Sequence, residues 1–399
     1  MIQVPDGWEM KPLKSIGTCK NGLTYSPDDI VENGGLLVLR SSNIQNSQIA
    51  LEDNVFVRED IKVNYKVQEY DILVCVRNGS KNLIGKNALI TKEVENMAHG
   101  AFMTVFHSKI NKYVFQIFQS DLFFKQVEKN LGATINSINN SDLLLFEFPF
   151  PKEKKEQEKI AKILSTLDNA IESTTRIIEK EKNIKTALMQ ELLTNGIDKN
   201  GQIRTPQTHT YKQSELGLIP DEWEVDSIEN HAKIITGDKD TQDRLDDGEY
   251  PFYVRSQTIE RINTYSFDGE AVLTAGDGVG VGKVFHFVNE KFDFHQRVYC
   301  IHDFSEKLNS SFFFEYFRTY FIEQVNKYSA KGSVDSVRYD MIALMNIPLP
   351  TFEEQKQIAK ILTTQDKKIE IEETNLDKLK ELKKGLMNDL LSGVVRVKV

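Results

Sequence analysis

The longest hydrophobic pattern in the chain is an apolar seam at helical spacing, and it occurs twice. Apolar residues recur three and four positions apart through residues 149–196 and again through residues 348–393. Lysine and glutamate occupy the positions outside the seam, which is typical of a coiled coil. Each segment begins just after a Pro-x-Pro and ends at Gly196 or Gly393, residue types that favour helix boundaries. The pattern predicts two long helices, each about 60 Å long at about 1.5 Å per residue.

The two helical segments are copies of one another. The run IAKIL at residues 160–164 returns at 358–362, and the pair Leu-Met at 188–189 returns at 386–387. Both matches have an offset of 198 residues (358 − 160). Such self-similarity indicates an internal repeat of a whole structural unit. Two such helices in one chain would pair with each other, most economically antiparallel, and act as a spacer. The simpler alternative is self-association without further function.

The repeat extends to the segments that precede the helices. PDGWE at residues 5–9 returns as PDEWE at 220–224, and Arg-Ser at 40–41 returns at 255–256, both at an offset of 215 residues. A further pair at this offset is Gly22 and Gly237. The order along the chain is therefore globular domain, helix, linker, globular domain and helix, which is an internal pseudo-twofold repeat.

Each globular half combines short apolar runs with one amphipathic stretch. Strands are predicted at 36–40, 70–76, 88–90 and 102–106, and at 252–255, 271–275, 283–287 and 298–301. Helices are predicted at 113–130 and 311–328. Clusters of Gly, Asn and Asp predict loops or turns at 77–82 and 276–282. The fold class is therefore α/β, mixed α+β, with a twisted mixed sheet in each half.

Composition limits the compartment and the partners. The chain has 399 residues, enough for two to four domains, and a net charge of −9. That acidity alone argues against a protein that coats nucleic acid, although a local basic groove or a basic partner reverses this conclusion. We expect no membrane span and no Sec export, since no long apolar stretch or signal pattern is present. Three distant cysteines form neither a disulfide framework nor a zinc motif, which favours a reducing cytoplasm.

Motifs for catalysis are missing from the sequence. The glycine-rich run at 276–282 has neither Walker A nor dinucleotide-binding spacing, so a hairpin or tight turn explains it better. The seven histidines show no metal-ligand spacing. There is also no Asn/Asp-Pro-Pro-Tyr/Phe tetrapeptide of the kind that an amino-methyltransferase uses. We therefore expect a non-catalytic chain that binds no cofactor and no metal.

The repeated motifs, taken in order, resemble the specificity subunits of type I restriction–modification systems. The resemblance covers essentially the full length of the chain. It rests on PDGWE and PDEWE, on EQEKIAKIL and EQKQIAKIL, on the endings LLTNG and LLSGVVRV, and on GLIPDEWE before the second domain. Each motif alone is weak, and their order and repetition make the match specific.

The resemblance implies a division of labour along the chain. The segments are a first target-recognition domain at 1–148, a long helix at 149–196, a linker at 197–219, a second target-recognition domain at 220–347, and a long helix with the C-terminal tail at 348–399. Each domain would read one half of a split, asymmetric double-stranded DNA site. The paired helices would set the half-site spacing and dock two methyltransferase subunits, which a restriction/translocase subunit then joins. S-adenosylmethionine would bind the methyltransferase partner, and ATP with Mg²⁺ the nuclease partner.

Candidate DNA contacts lie in polar loops rich in Arg, Lys, Asn, Gln and Ser. Arginine pairs bidentately with guanine, and Asn or Gln with adenine. In the first domain the candidates are Tyr25, Ser26, Arg40, Ser41, Ser42, Asn43, Arg77, Asn78, Ser80, Lys81 and Asn82. In the second domain they are Lys239, Asp240, Arg255, Ser256, Gln257, Thr258, Lys283, Arg297, Lys331 and Arg338. The alternative for any one of them is an exposed, solvated side chain, and for the matched pair Arg40 and Arg255 it is an intramolecular ion pair.

Other functions remain open on the sequence. A methylation-only or other phage-defence complex would use the same subunit. A coiled-coil scaffold whose domains bind protein would show no sequence preference on DNA. A stand-alone nuclease would need a metal-binding carboxylate cluster, which the sequence does not offer.

Overall fold

The structure is a computed structural model that describes residues 4–32, 34–131, 136–328 and 336–398. The chain forms two compact units, the first from Met1–Thr175 with Thr374–Val399 and the second from Arg176–Glu373. Each unit contains sheets, short helices and parts of both long helices. The predicted α/β fold class is therefore confirmed. Of the helices in the described residues, none has the length and apolarity to cross a membrane.

The first unit is built from short strands and short helices. Its strands are β1 (Trp8–Pro12), β2 (Thr18–Asn21), β3 (Ile30–Val31), β4 (Leu36–Leu39), β5 (Ile44–Gln45), β6 (Gln48–Ile49), β7 (Phe56–Val57), β8 (Ile72–Cys75), β9 (Asn87–Leu89), β10 (Ala98–His99), β11 (Met103–His107) and β12 (Glu147–Pro151). Its short helices are α1 (Asn111–Phe118), α2 (Asp121–Asn130) and α3 (Asn140–Leu143). Within the described residues, one sheet has the order β2-β11-β8-β9 and another the order β10-β4-β7-β3, with β10 and β4 parallel.

The single helix predicted at 113–130 is wrong, because the structure has two helices there. α1 ends at Phe118 and α2 begins at Asp121, with Ser120 between them in an extended conformation. Serine is a favoured residue before a helix, and an acidic residue in the first turn favours the positive end of the helix dipole. The break lets Phe118 and Phe123 stack with their ring centroids 4.3 Å apart in the core.

The second unit has a larger sheet. The long helix α4 (Lys154–Thr194) contributes residues to both units. The strands that follow it are β13 (Tyr211–Ser214), β14 (Gly217–Pro220), β15 (Glu224–Ser227), β16 (Lys233–Thr236), β17 (Tyr250–Tyr253), β18 (Glu260–Ile262), β19 (Phe267–Ala275), β20 (Phe285–Phe294), β21 (Val298–His302) and β22 (Asn346–Leu349). The remaining helices are α5 (Ser310–Lys327), α6 (Tyr339–Ala343) and α7 (Phe352–Ser392). Among the described residues the main sheet has the order β16-β21-β19-β20-β17-β18, with β17 and β20 parallel.

The repeated Pro-x-Pro motifs lie in strands and not at the first residue of a helix. β12 pairs antiparallel with β1, which carries Trp8, and β22 pairs antiparallel with β15 just after Trp223. Both sheets consist of two strands in the part of the chain that the structure describes. Proline lacks an N–H donor and is tolerated on such edges. The two most recognisable motifs of each half therefore form one sheet.

The long helices pair antiparallel inside each unit. In the first unit Lys383 Nζ of α7 lies 2.5 Å from Asp168 Oδ1 of α4. In the second unit Lys182 Nζ of α4 lies 2.6 Å from Glu373 Oε1 of α7, and Lys185 pairs with Asp366. In the second unit the residue number falls along α7 as it rises along α4. In the first unit Glu156, near the start of α4, contacts Arg396 just beyond α7, so the same order holds there. The predicted antiparallel pairing is confirmed within each unit.

Part of the predicted seam is wrong. Ile177 and Ile184 are exposed, whereas Ile178 is buried. On the second helix Leu382 is exposed and Ile369 is buried. The sequence of α4 contains two apolar rows, one through Ile177 and Ile184 and a parallel one through Ile178. The rows differ by one residue, which is a rotation of about 100° around a helix with 3.6 residues per turn. Only the packing partner selects which row becomes buried.

An ion pair with a buried glutamate follows the end of a long helix in each unit, and its arginine is buried in the second unit but exposed in the first. In the second unit Arg204 contacts both carboxylate oxygens of Glu354, at 2.5 Å from Nη1 and 3.0 Å from Nη2. In the first unit Arg396 contacts both oxygens of Glu156, at 2.7 Å from Nε and 2.8 Å from Nη2. Each glutamate is the first residue of the repeated Glu-Gln pair. Through it the start of α7 is joined to the chain that follows α4, and the start of α4 to the chain that follows α7.

The glutamine of each Glu-Gln pair binds the preceding strand. Gln157 Nε2 donates to the carbonyl oxygen of Pro151 at 2.8 Å, and Gln355 Nε2 donates to that of Pro350 at 2.9 Å. A side chain thereby satisfies a carbonyl beside a helix start, where backbone groups lack helical partners. The repeated Glu-Gln motif thus has a structural explanation in both units.

The linker at 197–219 is ordered by these contacts. It carries Arg204, and the hairpin β13–β14 overlaps its end. The tail at 394–398 has no strand among its described residues, and Arg396 holds it against Glu156 and the carbonyl oxygen of Asp6.

The Glu156–Arg396 pair predicts a pH-dependent stability of the first unit. Hydrogen bonds from Arg396 lower the pKa of the Glu156 carboxyl below its ordinary value. A lowered folded-state pKa contributes stability above the unfolded value of about 4.3, and this contribution is lost as the pH falls through the folded-state pKa. We expect the stability difference between the wild type and Glu156→Gln to be full at pH 7 and to shrink below about pH 4.

The measurement is urea unfolding followed by Trp8 fluorescence in a Trp223→Phe background, because the chain has two tryptophans. Glu158→Gln is the control, since Glu158 lies on the same helix turn with an exposed side chain. A wild-type advantage over Glu156→Gln that is the same at pH 3 and pH 7 would contradict the prediction.

Candidate nucleic-acid interface

Two polar loops of the first unit lie side by side. The loop at 40–43 follows β4 and the loop at 77–82 follows β8, and both strands are largely buried. Asn78 Nδ2 donates to Ser41 Oγ at 3.2 Å, and Lys86 Nζ donates to the carbonyl oxygen of Ser41 at 3.4 Å. The two stretches selected from the sequence are therefore one cluster in the structure.

Asn43 is a correction to the predicted DNA contacts. Its side chain is fully buried, and its Nδ2 lies 3.0–3.1 Å from oxygens of Ala50, Asp53 and Asn54. Its Oδ1 accepts the backbone N–H of Arg40 at 2.9 Å. These bonds occupy both ends of the amide, so Asn43 shapes the loop and is not exposed to a base.

The other candidates of the first unit differ in exposure. Tyr25 packs partly buried against an apolar cluster, and Ser26 binds Asp29 through its backbone N–H and its hydroxyl, which lowers the pKa of the Asp29 carboxyl. Ser42 Oγ is buried with no hydrogen-bond partner in the described part of the chain. The fully exposed members of the loop cluster are Arg77, Ser80, Lys81 and Asn82.

In the second unit, three charged side chains meet at the ends of neighbouring strands. Arg255 Nη1 donates to Asp277 Oδ1 at 2.8 Å, and Arg297 Nε lies 3.8 Å from Asp277 Oδ2. Gln257 Nε2 donates to the carbonyl oxygen of Lys283 at 2.8 Å. Arg255 follows β17, Asp277 follows β19, and Arg297 lies between β20 and β21. Their loops therefore form one polar edge of the sheet.

The remaining candidates of the second unit lie on the same loops or near them. Lys239 pairs with Asp238, and Asp240 accepts a hydrogen bond from Gln296 Nε2 at 3.0 Å. Ser256 Oγ donates to the carbonyl oxygen of Thr258, and both residues are exposed. The exposed cations among the candidates of the second unit that the structure describes are Arg255, Lys283, Arg297 and Arg338. Lys331 lies outside the described residues.

His295 positions Arg297. Its Nδ1 accepts the backbone N–H of Arg297 at 2.9 Å. Burial and the nearby Arg255 guanidinium lower the pKa of His295, which favours the neutral ring that this bond requires. The turn that presents Arg297 is thus fixed by a side chain that the sequence analysis did not select.

The matched arginines are both ion-paired. Arg40 Nη2 lies 3.0 Å from Asp53 Oδ1, and Arg255 pairs with Asp277. The alternative considered for them is therefore present in the structure. Ion pairs on a surface contribute little free energy, so a phosphate or base can compete for either guanidinium. Their role in DNA contact stays a prediction.

Equivalent backbone contacts hold the two clusters. In the first unit Arg77 forms an isolated antiparallel bridge with Ser137, and in the second unit Asp277 forms one with Ser336. The N–H groups of Ile138 and Val337, one residue later, donate to the carbonyl oxygens of Val76 and Gly276. The two halves therefore share one loop frame and differ in the side chains upon it.

Comparison with known proteins identifies the family. A family model described as type I restriction modification DNA specificity domain matches residues 5–182 and 220–381. The chain belongs to this family. The two matched ranges correspond to the two halves of the repeat, so one specificity domain occurs in each half.

Relatives of the specificity-domain family match over nearly the full length. The chain is 29% identical over 422 residues to the MjaX type I restriction enzyme specificity subunit assigned in Methanocaldococcus jannaschii, across 99% of this chain and 95% of the relative. It is 27% identical over 428 residues to the MjaVIII specificity subunit of the same organism, across 100% of this chain and 95% of the relative.

The fold is also known from solved structures. The crystal structure of the type I restriction–modification S subunit from M. genitalium aligns with a TM-score of 0.67 at 16% identity, over 98% of this chain and 96% of that chain. At this identity the match supports the fold alone. It agrees with the mixed α/β units and long helices described above.

Phe102 was missed as a candidate contact of this specificity-domain chain. It was assigned to a core strand, but β11 begins one residue later and the Phe102 side chain is 58% exposed. Asp277 was also missed, because it lies in the glycine-rich run at 276–282, which was predicted to be a hairpin or tight turn. The sequence offered no signal for Phe102, because only the fold brings it beside the loop at 77–82.

Proposed function

We propose that the chain is the DNA-recognition subunit of a type I restriction–modification complex, and that each target-recognition domain reads one half of a split, asymmetric DNA site. The observation that carries the proposal is the shared loop frame with different polar side chains in the two units. Two diverged readers on one frame suit two different half-sites, whereas a homodimer suits a palindrome. Family membership and the specificity subunits among its relatives support the same function.

We further propose that two methyltransferase subunits dock on α4 and α7 and that a restriction/translocase subunit joins them. Exposed apolar side chains on these helices, including Ile177, Ile184, Ile371 and Leu382, suit a protein partner, since apolar surface drives association. The chain itself would be non-catalytic and cytoplasmic. S-adenosylmethionine would bind the methyltransferase subunits, and ATP with Mg²⁺ the restriction subunit.

The acidity of the chain is consistent with this assembly. Phosphate contacts supply most of the affinity for DNA, whereas base contacts supply the specificity. Partner subunits that neutralise phosphates would leave base reading to this chain. Exposed arginines such as Arg77, Arg297 and Arg338 would then contribute to specificity through their position, and less to affinity through their charge.

Methylation mapping tests the proposed function. Genomic DNA from a host with this chain and the methyltransferase encoded beside it is compared with DNA from a host that lacks only this chain. We expect a split, asymmetric methylated motif that disappears with the chain. Exchange of residues 220–347 for those of another specificity subunit should change one half of the motif and leave the other.

Binding of the purified complex to a random DNA pool separates the alternatives. Enrichment of a split motif supports the proposal even where the methylome is silent. Equal recovery of all sequences by a folded complex would contradict it and would favour the scaffold, whose domains bind protein.

A further inference from the structure

One pair of positions in the shared loop frame carries different chemistry in the two units. In the first unit the N–H groups of Val76 and Arg77 donate to the carbonyl oxygen of Phe102, at 3.0 and 3.1 Å. In the second unit the N–H of Gly276 donates to the carbonyl oxygen of Arg297 at 2.7 Å. Together with the bridges to Ser137 and Ser336, these bonds make Arg77 equivalent to Asp277 and Phe102 equivalent to Arg297.

In the first unit the pair is a cation on an exposed ring. The guanidinium carbon of Arg77 lies over the Phe102 ring, 5.9 Å from its centroid. Guanidinium groups are attracted to aromatic faces at this distance. Two backbone hydrogen bonds fix the carbonyl of Phe102, so the ring stays at the end of the strand although 58% of its surface is exposed. A ring that is exposed and fixed in this way is available for contact with a partner.

In the second unit the cation is at position 297, which is equivalent to Phe102 and not to Arg77. Arg297 replaces the ring, and Asp277 replaces the arginine and attracts both Arg297 and Arg255. His295 fixes the turn that presents Arg297. The backbone is the same, and only the side chains alter what the edge can recognise.

We propose that these paired positions, 77 with 102 and 277 with 297, are specificity-determining contacts to DNA bases. In the first unit Phe102 packs on the 5-methyl group of a thymine, and Arg77 donates to O6 and N7 of a neighbouring guanine. In the second unit Arg297, oriented by Asp277, donates to a guanine. Apolar contact with the thymine methyl and bidentate arginine–guanine pairs are the major-groove interactions that suit these side chains.

An apolar contact explains Phe102 better than a wedge inserted between bases. A wedge needs a ring that is open on both faces so that bases can stack above and below it. Arg77 covers one face of Phe102, which leaves the other face and the edge for a methyl group. The proposal rests on the function proposed above, because it names the residues through which each domain would read its half-site.

The test uses the complex of this chain with its methyltransferase subunits and duplexes that carry the mapped site. Phe102→Ala and Arg77→Ala should each bind the wild-type site roughly ten- to hundred-fold more weakly, while changes to the second half-site should have the same effect on variant and wild type. Replacement of the contacted thymine by deoxyuridine removes only the methyl group. It should weaken the wild type several-fold and leave Phe102→Ala almost unchanged.

Matched controls come from the other end of the same strand. Tyr70 lies just before β8, whereas Arg77 lies just after this strand. Tyr70 forms an exposed aromatic–cation pair with Lys112 of α1, whose Nζ is 3.9 Å from the ring centroid. Tyr70→Ala and Lys112→Ala should retain wild-type affinity. Phe102→Leu keeps an apolar contact and should retain part of the preference for thymine over deoxyuridine, which guards against a folding defect.

The reciprocal exchange tests the equivalence of the two units. Arg77→Asp with Phe102→Arg should alter only the first half of the methylated motif, and Asp277→Arg with Arg297→Phe only the second half. If Phe102→Ala and Arg77→Ala bind the site as tightly as the control variants, or lose affinity equally for all sequences, the inference is wrong. If the wild-type complex itself shows no sequence preference, the proposed function fails first.

Discussion

Replacement of Glu354 by alanine is expected to lower the free energy of unfolding of the second unit by about 3–5 kcal/mol, the cost of removing one partner from a buried ion pair. The side chains of Arg204 and Glu354 are 5% and 7% exposed. Glu354 Oε1 also accepts the backbone N–H of Ile197 at 3.0 Å. The variant therefore leaves a buried guanidinium and a buried N–H without their main acceptor. The remaining acceptors of Arg204 among the described residues are Glu222 and, at 3.5 Å, the carbonyl oxygen of Asn195.

The measurement is urea unfolding of the second unit, reported by Trp223 in a Trp8→Phe background. Trp223 suits this purpose because it lies in the fold close to Gly196 and the Arg204–Glu354 pair. Glu353→Ala is the matched control, since Glu353 is the preceding residue of α7, is 76% exposed and pairs with Lys356. That variant should change the stability by about 0.5 kcal/mol or less.

A double variant separates two effects of Glu354→Ala, the loss of the ion pair and the burial of an unpaired charge. Arg204→Leu with Glu354→Leu removes both charges and should be more stable than Glu354→Ala, because no unpaired charge is buried. Equal stability of Glu354→Ala and Glu353→Ala would show that the pair is solvated and contributes little.

Replacement of Gly237 by alanine is the second change with a large expected effect. A Cβ atom at this position would lie 1.9 Å from the carbonyl oxygen of Phe294, and at Gly22 it would lie 2.0 Å from that of Gly100. Because the obstacle is backbone, neither side can yield without moving a strand end. We expect a loss of about 3 kcal/mol or more, at the upper end of overpacking costs.

The functional consequence should be confined to one half-site. Gly237 precedes Lys239, which forms a bridge with His295, so the clash moves the turn that presents Arg297. Gly237→Ala should therefore weaken recognition by the second domain, and Gly22→Ala recognition by the first. Gly79→Ala is the control for stability alone, because its Cβ would meet no atom within 4 Å but its loop belongs to the candidate interface. Binding of half-site-mutated duplexes measures the effect, and loss of both halves in either variant would contradict the assignment.

The repeat and its helices are determined by the sequence. Helical spacing of apolar residues is a local property, so α4 and α7 were predicted within a few residues of their observed ends. The strands before the loops were predicted on the same basis. The offsets of 198 and 215 residues indicated two copies of one unit, and the matched glycines proved to be points of close backbone approach in both.

Only the tertiary structure decided which residues meet. The pairing of β1 with β12 and the Arg204–Glu354 ion pair join residues that are far apart in the chain. The burial of Asn43 likewise depends on the residues that pack around it. Ile177 and Ile178 are adjacent in sequence, and only the fold decided that Ile178 is buried and Ile177 exposed. Local periodicity specifies elements, whereas burial depends on the partner that covers each face, and that partner is set by the whole fold.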